Sequence, residues 1–222
     1  MSFDITQHLE FLKILREDNL IKVGTLTKLK DGSMSPIYVD LRDKMWAIPG
    51  LLNGFGKLFM DKILSLIPKD HSGRVLICGI PEAANPLGTA TVMLAHESGW
   101  DWQLIALRHQ PKAYGSGDSK TFVIGGYQPG DLVYLLDDVI TTSDSKRDAI
   151  RRLEVSGFPP ESIITLVAFD RQQGGLKSLS NDGYQTESLF PILKVADMFF
   201  NEGMISADEL EDVKKFIADN QH

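Results

Sequence analysis

The stretch "GDLVYLLDDVITTSDSK", residues 130–146, decides how the rest of the chain is read. Its apolar run, Leu132 to Leu136, has the length and character of a strand buried on both faces. The run stops at two adjacent carboxylates, Asp137 and Asp138, and then at a hydroxyl-rich turn made of Thr141, Thr142, Ser143, Asp144 and Ser145. After the turn, Ala149, Ile150 and Leu153 fall on one helical stripe. Strand, polar turn and helix in that order put the two acids at the carboxyl end of a strand, where open α/β sheets collect their ligands.

The same alternation continues on both sides. From residue 74 the chain reads "RVLICGI", "NPLGTATVMLAHESG", "WQLIALR", then the segment above, then "SIITLVAFD". Short apolar runs separated by helix-length segments predict an α/β fold, a parallel sheet flanked by helices. Toward the N-terminus, Ile5, Leu9 and Leu12 after Asp4 predict a capped helix over 4–16, and a second helix is expected over about 50–67. Between them "VGTLTKLKDGSMSPIYVDLRD" reads as a hairpin followed by an extended segment, and "ISADELEDVKKFIADNQH" as a capped amphipathic C-terminal helix. No repeat or linker divides the chain. The expectation is one domain over 1–222: N-terminal helices and a hood segment over 1–70, an α/β core over 71–195, and a C-terminal helix over 196–222 that completes a small hood.

Composition narrows the function classes. With 43% apolar and 24% charged residues the 222-residue chain is an ordinary globular sequence, and no apolar run reaches transmembrane length. The N-terminus lacks signal-peptide order, so a cytoplasmic location without a membrane partner is expected. A net charge of −7 argues against sequence-independent binding to nucleic acid. The single Cys78, inside "VLICGI", excludes an internal disulfide and reads as a buried thiol rather than a nucleophile. The five histidines show no metal-ligand spacing.

The turn carries the chemistry. Consecutive backbone N–H groups at a helix N-terminus, together with hydroxyl donors, suit a phosphate. Two neighbouring carboxylates are acceptors for a sugar diol, and the pair of subsites describes a ribose 5-phosphate. Helix capping alone also accounts for Ser and Asp before a helix, and Asp137 and Asp138 could simply be solvated at a strand end. Neither a phosphate-binding G-x-x-x-x-G-K-[ST] nor a dinucleotide G-x-G-x-x-G is present.

Read as a motif, "YLLDDVITTSDSK" resembles the phosphoribosyl pyrophosphate (PRPP) signature of type I phosphoribosyltransferases. Further stretches are similar to the orotate phosphoribosyltransferases in particular: "LKDG" with "SPIYVDLR", "ICGIPEAANPLGTA", "LRHQPKAYG" and "FDRQQGG". The resemblance implies transfer of the phosphoribosyl group of PRPP to orotate, giving orotidine 5′-phosphate and pyrophosphate. It implies that Asp137 and Asp138 take the ribose hydroxyls and that Thr141, Thr142, Ser143, Asp144 and Ser145 take the 5-phosphate. It places Lys30 on PRPP, Tyr38 on the orotate ring and Arg171 on the orotate carboxylate. Residues 108–120, "RHQPKAYGSGDSK", resemble the family's mobile catalytic loop, a likeness that brings Arg108, Lys112 and Lys120 onto the pyrophosphate, with Lys112 catalytic and with His109 and Tyr114 among the substrate-binding residues. Mg²⁺ held mainly by substrate oxygens, and a homodimer sharing that loop across its interface, complete the implied machinery.

The sequence departs from the family pattern at four positions. His109 stands where a lysine is usual, Ala83 where a lysine or threonine is, and Ser143 and Asp144 where glycine and a small neutral residue are. A carboxylate about 4 Å from a phosphate charge is repelled by roughly 4 kcal/mol at an effective dielectric near 20, unless its side chain turns outward. Two other readings therefore stand beside the enzyme: a PRPP- or nucleotide-binding protein with little turnover, and a transferase acting on another base.

Overall fold

The computed structural model describes residues 3–28, 32, 34–111 and 121–221. Eight helices and eight strands lie among these residues. The chain opens with a 3-10 turn, Ile5–His8, in which the Asp4 side chain accepts from the Thr6 N–H, and continues into α1 (Leu9–Glu17). Next come β1 (Ile21–Lys28), β2 (Met34–Val39), α2 (Arg42–Ala47) and α3 (Pro49–Leu66). The core follows as β3 (Val75–Gly79), α4 (Asn85–Glu97), β4 (Gln103–Leu107), β5 (Val123–Ile124), β6 (Leu132–Ile140), α5 (Asp144–Val155) and β7 (Ile163–Asp170). It is completed by α6 (Gly175–Asn181), β8 (Gln185–Pro191), α7 (Ile192–Asn201) and α8 (Ala207–Asp219).

Six strands form one sheet in the order β5-β4-β3-β6-β7-β8. All neighbours in it are parallel except β4 and β5, which run antiparallel at one edge. The expected parallel α/β layer is thus present, with a two-residue antiparallel edge added. Helices cover both faces. Leu87 and Ala95 of α4 and Phe55 and Phe59 of α3 pack with Tyr134 and Leu136 on one side, while Ala149, Ile150 and Leu153 of α5 pack with Val133 and Leu135 on the other. Burial on both faces is why the strands read as continuous apolar runs.

The second sheet is the antiparallel pair β1-β2, interrupted by a register shift between Val23 and Thr27. Helix α8 packs against this pair, opening with the expected capping box, Ser206 to Glu209. The C-terminal stretch holds two helices, since α7 ends at Asn201 and α8 starts at Ala207. Cys78 is fully buried, and burial pushes its thiol up to about 12, so it is inert at neutral pH. No helix among the described residues is long and apolar enough to cross a membrane.

Candidate active site

Strand β6 is longer than its apolar core. Pairing with β3 ends at Gly79↔Leu136, but pairing with β7 runs on through Asp137↔Val167 and Ile140↔Asp170. Asp137 and Asp138 therefore lie inside a strand, at 5% and 4% exposure. The possibility that they are solvated at a strand end is excluded. Beyond Gly79 the chain turns away from β6, with the Ile80 N–H donating to the Leu136 carbonyl, and opens a crevice at the point where the strand order reverses. A Cβ on Gly79 would lie 2.2 Å from the Ala84 carbonyl oxygen, so only glycine lets residues 80–84 fold back this tightly.

Each acid is bound on both sides. One oxygen of Asp137 accepts from the Asp138 N–H at 2.9 Å, and the other lies 2.5 Å from the Lys146 ammonium. One oxygen of Asp138 accepts from the Val139 N–H at 2.8 Å, and the other faces the Arg42 Nε at 3.4 Å. The two cations differ: the Lys146 side chain is 5% exposed and that of Arg42 is 70% exposed. Lys146 also donates to the Val139 carbonyl at 2.6 Å. Burial raises the Asp137 carboxyl to about 6, an effect that Lys146 opposes and the charge on Asp138 reinforces.

The turn from Thr141 to Ser145 follows directly. Its helix α5 leaves the N–H groups of Asp144, Ser145 and Lys146 without intrahelical acceptors by helix geometry. Ser143 sits at φ −94°, an ordinary right-handed value, so nothing here requires the glycine that the family pattern leads one to expect. Its hydroxyl accepts from Arg147, which also pairs with Asp182 at 2.5 Å. Asp144 is exposed and its carboxylate accepts from the Thr142 hydroxyl at 3.3 Å. It has turned outward, onto the Thr142 hydroxyl, which removes the repulsion expected of a carboxylate facing the phosphate.

Two adjoining cavities share Arg42, Asp137 and Ser145. The smaller, about 330 Å³, brings Tyr38, Asp138, Thr141, Lys146 and Arg171 together with them. The larger, about 650 Å³, is walled by the loop from Ile80 to Ala83 together with Trp46 and His109. Arg171 approaches the hood, its Nη2 standing 3.5 Å from both the Ser35 hydroxyl and the Ile37 carbonyl. Its buried Nε finds no hydrogen-bond partner among the described residues. Burial weakens its hold on its proton, though a guanidinium stays charged. The Tyr38 hydroxyl donates to Asp40 at 3.1 Å.

Lys30 and the residues of the 108–120 loop are distributed differently. His109 lines the larger cavity, 3.3 Å from the Glu82 carboxylate. Arg108 donates to the Val123 carbonyl at 3.0 Å and is not among the residues lining either cavity. Lys30, Lys112, Tyr114 and Lys120 lie outside the described residues. Among the charged residues lining the two cavities, Asp40, Arg42, Glu82 and Lys146 went unassigned by sequence reasoning. Lys146 had a visible signal, since it shares the buried stripe of α5 with Ala149, Ile150 and Leu153. Among the described residues no group of three or more His, Cys, Asp or Glu side chains converges as a metal site.

A parallel sheet crossed at its switch point by buried twin acids, a donor turn at a helix N-terminus and a hood above them define the type I phosphoribosyltransferase fold. Over 96% of this chain and 100% of the other, a crystal structure of orotate phosphoribosyltransferase from Francisella tularensis superposes with a TM-score of 0.73 at 16% identity. The chain is similar in sequence to orotate phosphoribosyltransferases, being 29% identical to one of Caenorhabditis elegans over 210 residues, 94% of this chain and 83% of that one. It is 31% identical over 193 residues, 86% of its length, to the uridine 5′-monophosphate synthase of Bos taurus, of which it spans 37%. No family model matches the chain.

Proposed function

We propose that the protein transfers the phosphoribosyl group of PRPP to orotate, giving orotidine 5′-phosphate and pyrophosphate. The observation that carries this reading is the small cavity, in which the diol acids, Thr141 and Ser145 of the donor turn, Tyr38 and the half-satisfied Arg171 face one space, while Thr142, Ser143 and Asp144 line neither cavity. Arg171 suits a carboxylate, because a buried guanidinium with an unmet N–H is completed by a bidentate planar acceptor. Tyr38 gives the orotate ring an aromatic wall. Asp137 and Asp138 receive the ribose hydroxyls, and the first turn of α5 receives the 5-phosphate.

In the transfer, the bond between the anomeric carbon and the pyrophosphate oxygen breaks with its electron pair leaving on pyrophosphate, and the orotate ring nitrogen bonds to that carbon while its N–H bond breaks and the proton passes to solvent. Positive charge on the sugar develops beside the two acids. Negative charge on the leaving group develops toward the larger cavity, where Arg42 and His109 stand; the resemblance assigns Arg108, Lys112 and Lys120 to the pyrophosphate and Lys30 to PRPP. Mg²⁺ belongs to the same proposal: a hard cation that keeps its waters and takes substrate phosphate oxygens as ligands would, when bound, supply neutralisation of the leaving group's charge.

A homodimer is part of the reading. Trp46 and Met93, 56% and 60% exposed, line an apolar surface cavity of about 650 Å³ between α3 and α4, an apolar patch of the kind that marks an interface. Trp46 also borders the larger site cavity, so a partner seated there would adjoin the pyrophosphate end. A cytosolic location follows from the same reading. The test is loss of orotate absorbance with PRPP and Mg²⁺. PRPP binding in calorimetry without orotate loss would replace the enzyme by a binding protein.

A further inference from the structure

The two diol acids are compensated by cations of opposite character. Both carboxylates spend one oxygen on a neighbouring backbone N–H, and both present the other to a positive charge. For Asp138 that charge is Arg42, exposed, on the hood helix α2 and at 3.4 Å, a contact that solvent or a sugar hydroxyl can replace. For Asp137 it is Lys146, buried on α5 at 2.5 Å and held from the other side by the Val139 carbonyl at 2.6 Å. Of the three N–H donors of an ammonium, two are thus spent inside the protein, and the side chain lines the small cavity beside Thr141 and Arg171.

Two carboxylates this deeply buried would repel an incoming polyphosphate and would resist ionising together. A buried lysine solves both problems without leaving the site. We propose that Lys146 is a positioning residue of the sugar subsite: its ammonium fixes Asp137 in orientation and charge, so that the diol meets one immobile acid and one, Asp138, whose Arg42 partner swings aside. Lys146 acts through Asp137, not on the reacting atoms. The proposal rests on the PRPP reading above. The groups facing Asp137 are Lys146 of α5 and Asp138 of β6; Arg42 of α2 lines both cavities with it, Glu82 and His109 line the larger one, and Asp40 and Arg171 the smaller.

The test compares full-length wild type with Lys146→Met, Lys146→Arg, Asp137→Asn and the neutral pair Lys146→Met with Asp137→Asn, each followed through KM for PRPP, kcat and the pH profile of kcat/KM, with thermal melts to establish folding. Lys146→Met is expected to raise KM for PRPP at least about tenfold at neutral pH while lowering kcat less, and to move the acid limb of the profile upward by about one pH unit or more. Lys146→Arg is expected to restore the limb. The neutral pair, which removes the uncompensated charge and so keeps the protein folded if Lys146→Met does not, is expected to lose no more than Asp137→Asn alone and to show no such limb. An unmoved limb in Lys146→Met, or losses that add in the double variant, overturns the proposal while leaving the enzyme intact. Wild type that neither binds nor turns over PRPP overturns the enzymatic reading, and this inference with it.

Discussion

Arg42 of helix α2 meets Asp138 of strand β6 at 3.4 Å, across 96 residues of sequence, and this contact ties the hood to the core at the mouth of the site. Because the arginine side chain is 70% exposed, the contact adds little to stability, in the range of about 0–1 kcal/mol typical of surface pairs. Arg42 lines both cavities, and on the proposed transferase reading that position makes it a cation for the pyrophosphate end, where Ala83 offers none. Arg42→Ala is expected to leave the melting temperature within about 4 °C of wild type and to raise KM for pyrophosphate in the reverse reaction by about tenfold. A change confined to the melting temperature would make Arg42 a purely structural strap.

Arg171 supplies a second test. A lysine cannot offer a planar pair of donors, and Ser35 and Ile37 already stand 3.5 Å from one Nη of the native guanidinium. Arg171→Lys is expected to raise KM for orotate by about 10- to 100-fold with KM for PRPP changed far less. Equal rises for both substrates would place Arg171 on the sugar rather than on the base.

The layer order of the core was legible because its strands are buried on both faces, so "RVLICGI", "DLVYLL" and "SIITLVAF" carry unbroken apolar runs. Where burial is partial the signal fades. Edge strand β8 begins "QTES", β5 has two residues, and α2 starts at Arg42 with Leu41 before it giving no side-chain cap; none of these is announced by pattern. The extension of β6 through its acids was hidden for a different reason. Carboxylates end an apolar run in sequence, but ladder pairing with β7 and cations from α2 and α5 let them be buried, and a partner 96 residues away leaves no local trace. Thr141, Ser145 and Arg171, which line the small cavity, could be placed there from sequence because they follow the strand ends that open sheets expose, whereas Thr142, Ser143 and Asp144 of the same turn line neither cavity.

Asp144 is the position where sequence and structure pull apart most usefully. Its carboxylate looks repulsive beside a phosphate, yet it is exposed and held by Thr142. Turned into solvent it is screened, so Asp144→Thr is expected to tighten PRPP by less than about threefold, well short of the thousandfold implied by a carboxylate pointing inward. Calorimetry giving a gain near the larger figure would mean that the acid swings into the subsite in solution; weaker binding would make it a contact.

At the far end of β3 and β6 from the site, Arg74 grips Asp131 through Nε at 2.9 Å and Nη2 at 2.5 Å, while the Gln128 N–H donates to the same carboxylate at 2.7 Å. Burial pushes this carboxyl up, but the hydrogen bonds from Arg74 and Gln128 and the arginine charge outweigh it and hold Asp131 below its usual 3.8. A depressed value means that the unfolded chain binds the proton more readily, so the pair contributes stability above 3.8 and loses it as the pH falls through the lowered value. Asp131→Asn is therefore expected to be less stable than wild type at neutral pH, to lose stability less steeply below about pH 4, and to leave both substrate KM values unchanged because no cavity of the site reaches it. Urea melts across that range, set beside kinetics at neutral pH, measure both arms; an acid slope as steep as that of wild type would show that other carboxylates govern acid unfolding.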